Sequence, residues 1–246
     1  MLICGFNKTT LLDYPEHVAA SVFLGGCNFR CPFCQNKDLL LNPADFAAYS
    51  EQEILDHLKK RSSMLTGVCV SGGEPTIYKE LPDFIKKIKE LGFLVKLDTN
   101  GTNPQMLRHL YEESLIDYVA MDIKAGLSDY FRVAGISETE TSIFTASGQN
   151  YLENIKDSVH FLMHETDSSR FTYEFRTTVV RELHDASSFQ EIGRWIAGAK
   201  RYFLQSYRDS ENVLCPGYHS YKKEEMEFFA EIVRPFIPNV ALRGLD

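Results

Sequence analysis

The stretch HVAASVFLGGCNFRCPFCQN, residues 17–36, joins an apolar run to three closely spaced cysteines. The run from Val18 to Leu24 ends in Gly25-Gly26 and reads as a buried strand. Cys27, Cys31 and Cys34 follow in a C-x3-C-x2-C pattern, so half of the six cysteines fall within eight residues. A strand that delivers reactive groups at its carboxyl end is the first half of a β/α unit, and the pairing recurs along the chain. Ser50 and Glu53 form a capping box before Ile54, Leu55 and Leu58, which share one helical face. GVCVSGG (67–73) reads as a second strand, and LPDFIKKIKELG (81–92) as a helix with Phe84, Ile85, Ile88 and Leu91 at helical spacing and Gly92 at its C-cap. FLVKLDTNG (93–101) is a third strand, and Asn103-Pro104 opens a helix bearing Met106, Leu107 and Leu110. IDYVAMDIK (116–124) is the fourth strand. Beyond a polar loop, the pattern predicts a helix over roughly 150–165, a strand at 170–180, a helix at 187–198 and a sixth strand at 201–207. Six β/α units predict a curved parallel sheet, and no linker divides the chain, so one domain is expected.

Composition narrows the function. With 246 residues, 44% hydrophobic and 24% charged, the chain is long enough for one large core. No stretch approaches the roughly 18 to 20 apolar residues of a membrane span, and MLICGFNKTT lacks the apolar centre of a signal peptide, so a cytoplasmic protein is expected. The net charge of -8 argues against a nucleic-acid backbone as partner.

In barrels of β/α units the site lies at the carboxyl ends of the strands. Here strand one runs into the cysteines, strand two into SGGEPT (71–76), strand three into DTNG (98–101) and strand four into MDIK (121–124), while strand five carries Glu174 and Arg176. A structural zinc site closes with four ligands, and no second knuckle is present. NFRCPFC is too polar and loop-like for ordinary core cysteines. A four-iron cluster fits best, because three thiolates leave one iron open to a non-protein ligand. Cys4, Cys69 and Cys215 lack partners at ligand spacing, and Cys69 reads as a packed core residue.

With Phe33 before the third cysteine and GGEP (72–75) after the second strand, the chain resembles the radical S-adenosylmethionine enzymes over about residues 17–206. The resemblance implies a partial (β/α)6 TIM-like barrel, with a C-terminal helix and tail over 207–246, one 4Fe-4S cluster on Cys27, Cys31 and Cys34, and S-adenosylmethionine on the open iron. The opening FNKTTLLDYPEHVAASVFLGGCNFRCPFCQN, DTNG, MDIK and the terminal ALRG (241–244) are similar to glycyl-radical-enzyme activases, most of all to the short activating proteins of anaerobic ribonucleoside-triphosphate reductase. Gln35-Asn36 replaces the usual His-Asn, and no further cysteines follow at 35–50, so one cluster is expected. The resemblance implies cofactor contacts from Phe33, Asn36, Gly72, Gly73, Glu74, Asp98, Asn100, Lys124 and Arg176. It also implies a possible monovalent-cation site at Asp98, Thr99 and Asp122, and a substrate contact at Asp13 in DYP. The partners it implies are a glycyl-radical enzyme as protein substrate and flavodoxin or ferredoxin as electron donor. A partner loop would meet the DYP segment, the polar loop at about 125–148 and the segment after strand six. The alternative is a small-molecule enzyme resembling the 7-deazapurine synthases.

The seven histidines are scattered, which gives a Ser-His-Asp hydrolase no support. His184 alone falls near the expected mouth. Trp195, with Ile192 and Ile196, reads as helix core, and the charged runs at 51–61 and 222–227 read as solvated helix faces.

Overall fold

Two strands of opposite direction begin the sheet: β1 (Ile3–Thr10) runs antiparallel to β2 (Ala19–Leu24). From β2 onward all neighbours are parallel, through β3 (Gly67–Gly72), β4 (Leu94–Thr99), β5 (Tyr118–Asp122), β6 (Thr172–Val179), β7 (Tyr202–Ser206) and β8 (Val240–Arg243). The computed structural model describes residues 1–46, 48–136, 151–167 and 169–245. The expected partner-facing loop therefore lies outside the described residues from 137 to 148. Sheet order follows chain order, and among the described residues no ladder joins β8 back to β1, so the barrel is partial and open on one side. The six expected parallel strands are present, with the antiparallel β1 and the short β8 added at the two edges.

The described helices are α1 (Lys37–Leu41), α2 (Glu51–Lys60), α3 (Leu81–Glu90), α4 (Pro104–Glu112), α5 (Tyr130–Ala134), α6 (Tyr151–His164), α7 (Ala186–Trp195) and α8 (Lys223–Val233). Local chemistry sets their starts. Ser50 Oγ accepts from Glu53 N–H while the Glu53 carboxylate accepts from Ser50 N–H, which satisfies two otherwise orphaned donors of α2. Asn103 caps α4 by accepting from Met106 N–H, and Asp185 caps α7 by accepting from Ser188 N–H.

Period-two alternation then divides the strand residues between two environments. Val22, Val70, Leu97, Val119 and Phe175 are fully buried in the main core with Ile54, Leu58, Phe84, Ile85, Ile88, Leu107, Leu110 and Ile192 of the helices. Each contributes roughly 1.5–3 kcal/mol. Trp195 is only partly buried, edge-on to Tyr130, and Ile192 and Ile196 carry the core of that helix instead.

The other strand face holds Ser21, Cys69, Ser71, Lys96, Asp98, Asp122, Glu174 and Arg176, a polar interior where barrels usually pack branched aliphatics. Among the described residues, a separate apolar cluster there joins Tyr14, Ala19, Tyr118 and Ala120, with Tyr14 edge-on to Tyr118. Tyr14 also explains Gly67, because a Cβ there would lie 2.7 Å from the tyrosine ring.

The last strand is held by charge. Glu174, fully buried, accepts from both terminal nitrogens of Arg243, at 2.6 and 2.8 Å, and from the Tyr118 hydroxyl. Arg243→Met should therefore destabilise the fold by about 3 kcal/mol, because Glu174 is left as an unpaired buried charge. Adding Glu174→Gln should recover part of the loss. A thermal melt of Arg243→Met superimposing on that of the unaltered protein would contradict this.

Candidate active site

The carboxyl ends of β2 to β6 surround one cavity, open to solvent. It is lined by Cys27, Phe29, Cys31, Phe33, Cys34, Gln35, Asn36, Leu40, Ser71, Gly72, Gly73, Asp98, Thr99, Asn100, Asp122, Lys124, Arg176 and Thr178. Every residue expected to hold the cluster or its cofactor is in this lining except Glu74.

The cysteine loop is braced from several directions. Gly26 N–H donates to Leu39 O, Cys34 N–H to Cys31 O, and Arg30 N–H to Ala134 O at the end of α5. A segment after β7 adds Leu214 N–H to Cys34 O and Cys215 N–H to Pro32 O, both 2.9 Å. Burial, followed by Glu74, raises the Cys27 thiol to about 12, and burial raises Cys31 to about 11. A metal binds the thiolate, so a cluster held here would displace both protons. Among the described residues no three His, Cys, Asp or Glu side chains are gathered tightly enough for a single metal ion. Three thiols around one cavity suit a cluster, whose separate irons space the ligands apart, better than a mononuclear zinc.

Gly72 and Gly73 serve the backbone first. Gly73 N–H donates to Leu24 O and Glu74 N–H to Gly26 O, extending the β2–β3 contact into the cysteine loop. A Cβ on Gly73 would lie 1.9 Å from Gly26 O, and Gly72 has φ +117°. The crowding that demands glycine comes from the protein's own first loop. Glu74 is fully buried and accepts from Thr76 N–H, Thr76 Oγ1, Thr99 Oγ1 and Asn100 N–H. Its side chain ties β3 to β4 and does not line the cavity. Asn100 in turn donates to Asn28 Oδ1 at 2.8 Å, and Asn36 donates to Gly72 O at 3.3 Å.

Charged groups of three strands meet opposite the thiols. Asp98 accepts from Lys96, from Ser71 Oγ at 2.9 Å and from Arg176 Nη1 at 3.2 Å. Asp122 accepts from Arg176 Nε and from Lys124 Nζ at 2.7 Å. Burial opposes ionisation of both carboxyls, but Arg176, with Lys96 at Asp98 and Lys124 at Asp122, holds them below the usual carboxylate range. Burial likewise opposes the Lys124 charge, and Asp122 keeps it raised.

Two expectations are corrected, and His184 is given a place. Asp13 does not line the cavity: β1 runs antiparallel to β2, so the turn carrying DYP lies at the amino ends of the parallel strands, where Asp13 accepts from Ser21 Oγ at 2.5 Å. The cation trio is already committed. Both oxygens of Asp98 and of Asp122 accept from side chains of the protein, and Thr99 Oγ1 donates to Glu74 and accepts from Gly101 N–H. His184, 2% exposed, is not in the lining; its Nδ1 accepts from Val180 N–H and its Nε2 donates to Lys124 O at 2.8 Å. Burial lowers its pKa, so it stays neutral and fixes the backbone of Lys124. The sequence reading overlooked Ser71, Phe29, Thr178 and Lys96. Lys96 stands two residues before Asp98 on one strand, and that spacing alone places both side chains on one face.

A sequence model of the Radical SAM superfamily matches residues 21–169. The chain is 27% identical over 248 residues to "Putative glycyl-radical enzyme activating enzyme MJ1227" of Methanocaldococcus jannaschii, covering 100% of this chain and 97% of that protein. It is 29% identical over 143 residues to a 7-carboxy-7-deazaguanine synthase of Neisseria meningitidis, covering 57% of this chain and 61% of the synthase. Among solved structures, Streptococcus suis SuiB bound to S-adenosylmethionine superimposes with a TM-score of 0.65 at 14% identity. That match covers 91% of this chain and 51% of SuiB, and it shows a shared fold.

Replacing any one of Cys27, Cys31 or Cys34 with Ala should abolish retention of about four irons and four sulfides after anaerobic reconstitution, whereas Cys4→Ala, Cys69→Ala and Cys215→Ala should retain them. Full iron loading in any of the first three variants, measured by iron and acid-labile sulfide analysis, would remove that cysteine from the site. Gly73→Ala should fail to fold stably, or lose the cluster, because its methyl group meets Gly26 O. A melting temperature and iron content equal to those of the unaltered protein would count against that reading.

Proposed function

The chain belongs to the radical SAM superfamily, and from that premise we propose that it activates a glycyl-radical enzyme, an anaerobic ribonucleoside-triphosphate reductase being the partner favoured by its motifs. Cys27, Cys31 and Cys34 would hold a 4Fe-4S cluster, and the wall opposite would hold S-adenosylmethionine. An ammonium needs acceptors, so the carbonyls of the Gly72–Glu74 turn, whose Gly73 and Glu74 N–H groups are already used, are its natural partners. Lys124 and Arg176 suit the carboxylate, and Phe33, Asn36 and Asn100 are at hand for the nucleoside end. Bound there, cluster and cofactor would supply one-electron reductive cleavage chemistry, with methionine as leaving group, for removing a hydrogen atom from a glycine Cα of the partner.

One observation carries this reading. Apart from the cysteines, every titratable side chain lining the cavity, Asp98, Asp122, Lys124 and Arg176, is bound into a single ion-pair chain. Among the described residues, that leaves no histidine or tyrosine and no unpaired carboxylate in the lining to act as acid or base. A wall of that kind suits hydrogen-atom abstraction from a delivered loop better than a multistep rearrangement of a small molecule. The full-length similarity to an activating-enzyme name supports it further. All six cysteines are free thiols, which fits a reducing cytoplasm with flavodoxin or ferredoxin as electron donor. No helix among the described residues is long and apolar enough to cross a membrane.

With reductant, S-adenosylmethionine and an anaerobic ribonucleoside-triphosphate reductase, electron paramagnetic resonance should detect a glycine-centred doublet on the partner. Asp98→Ala and Lys124→Ala should keep the cluster and lower the doublet yield at least tenfold by weakening the cofactor site, a loss of about 1.4 kcal/mol or more. Turnover of a free purine-like substrate with no partner radical would favour a synthase of the deazaguanine type instead.

A further inference from the structure

Two carboxylates side by side at the mouth of a barrel resemble half of a cation site, yet here the protein has filled it. Asp98 Oδ1 accepts from Lys96 Nζ, and Asp98 Oδ2 accepts from Ser71 Oγ and Arg176 Nη1. Asp122 Oδ1 accepts from Arg176 Nε and Asp122 Oδ2 from Lys124 Nζ. Three fixed cations thus face two carboxylates, and all four oxygens have donors. The neighbouring Thr99 hydroxyl, 4% exposed, is spent on Glu74 and Gly101. An entering sodium or potassium ion would have to displace one of these donors. Lys96 is 3% exposed, reaches Asp98 from within the same strand, and otherwise lies 3.7 Å from the Cys69 sulfur and over the Tyr118 ring, 6.0 Å from its centroid.

We infer that Lys96 and Arg176 stand where a monovalent cation would otherwise bridge Asp98 and Asp122, so the cofactor site works without any metal ion from solution beyond its cluster. In this account Lys96 is a positioning residue: it holds Asp98 and carries the charge that an ion would bring. A built-in cation costs no affinity and cannot be washed out, and the site becomes indifferent to the sodium-to-potassium ratio. The melting test below does not depend on which substrate the enzyme uses. The calorimetric test rests on the proposed S-adenosylmethionine site, so an absence of cofactor binding in any salt would count against that proposal and leave melting to decide the cation question.

Melting of the reconstituted protein in potassium, sodium or choline chloride at equal ionic strength should agree to within about 1 °C, because a site that binds an ion only in the folded state would stabilise it by mass action. A rise of several degrees in potassium or sodium over choline would overturn the inference. Calorimetric S-adenosylmethionine affinity should likewise agree within about twofold across the three salts, and a tenfold tightening by either alkali ion would overturn it. Lys96→Met should bind S-adenosylmethionine about tenfold more weakly in choline and regain affinity in potassium or sodium, an ion-specific rescue that a merely structural loss would not show. If Lys96→Met does not fold, Lys96→Gln carries the same test. A folded variant that binds equally in all three salts would contradict the assigned role.

Discussion

The guanidinium of Arg176 bridges Asp98 of β4 and Asp122 of β5 from its own place on β6, and the mouth of the barrel depends on that bridge. These groups stand on the interior face of the sheet, where an unpaired carboxylate would cost several kcal/mol. The chain is stable because it is complete: Lys96, Asp98, Arg176, Asp122 and Lys124 alternate in sign, and Ser71 supplies the remaining donor. Because its members come from the ends of β4, β5 and β6, with Ser71 of β3 added, the chain also sets how far apart the strand ends lie. The cavity wall opposite the thiols is thereby fixed before any cofactor arrives, which is the preorganisation a binding site needs.

The thiol side is built differently, from backbone contacts. The β2–β3 ladder continues past the last residues of both strands through Gly73 N–H to Leu24 O and Glu74 N–H to Gly26 O, so the second turn grips the first. Glu74 then takes four hydrogen bonds that lock the third turn to the second. The segment at 208–215 closes the far side of the loop through Leu214, Cys215 and Gln35. Rigid charge on one wall and braced main chain on the other place three thiols and a polar cofactor wall around a common space. His184 adds a neutral clamp behind Lys124, so the lysine at the end of β5 is held through its carbonyl as well as its ammonium.

The cysteine spacing, the alternation of strands and helices and the caps at Ser50, Asn103 and Pro104 are local features, and they were legible because each is written within a few residues. The convergence of SGGEPT, DTNG and MDIK on one mouth was legible too, since parallel strands must send their carboxyl ends to one side. What escaped depends on long-range pairing. The position of Asp13 follows from the antiparallel direction of β1, which no motif records. β8 has four residues, too few for a period to show. Lys96 looked like an ordinary strand lysine, because only the neighbouring strands reveal that its face is interior. The cation trio was implied by the resemblance, and the competing donors, Ser71, Lys96, Lys124 and Arg176, come from separate parts of the chain at separations of up to 78 residues. The glycines of GGEP leave room for the protein's own main chain, Leu24 at Gly72 and Gly26 at Gly73, a packing that no motif records.

Transfer of hydrogen from a partner's glycine is the central claim, and isotope labelling tests it most directly. With a ribonucleoside-triphosphate reductase deuterated at glycine Cα, S-adenosylmethionine and a reductant, mass spectrometry of the released 5'-deoxyadenosine should find one deuterium for each glycyl radical formed. Undeuterated 5'-deoxyadenosine in amounts matching cofactor cleavage, with the partner's glycine label intact, would contradict the account.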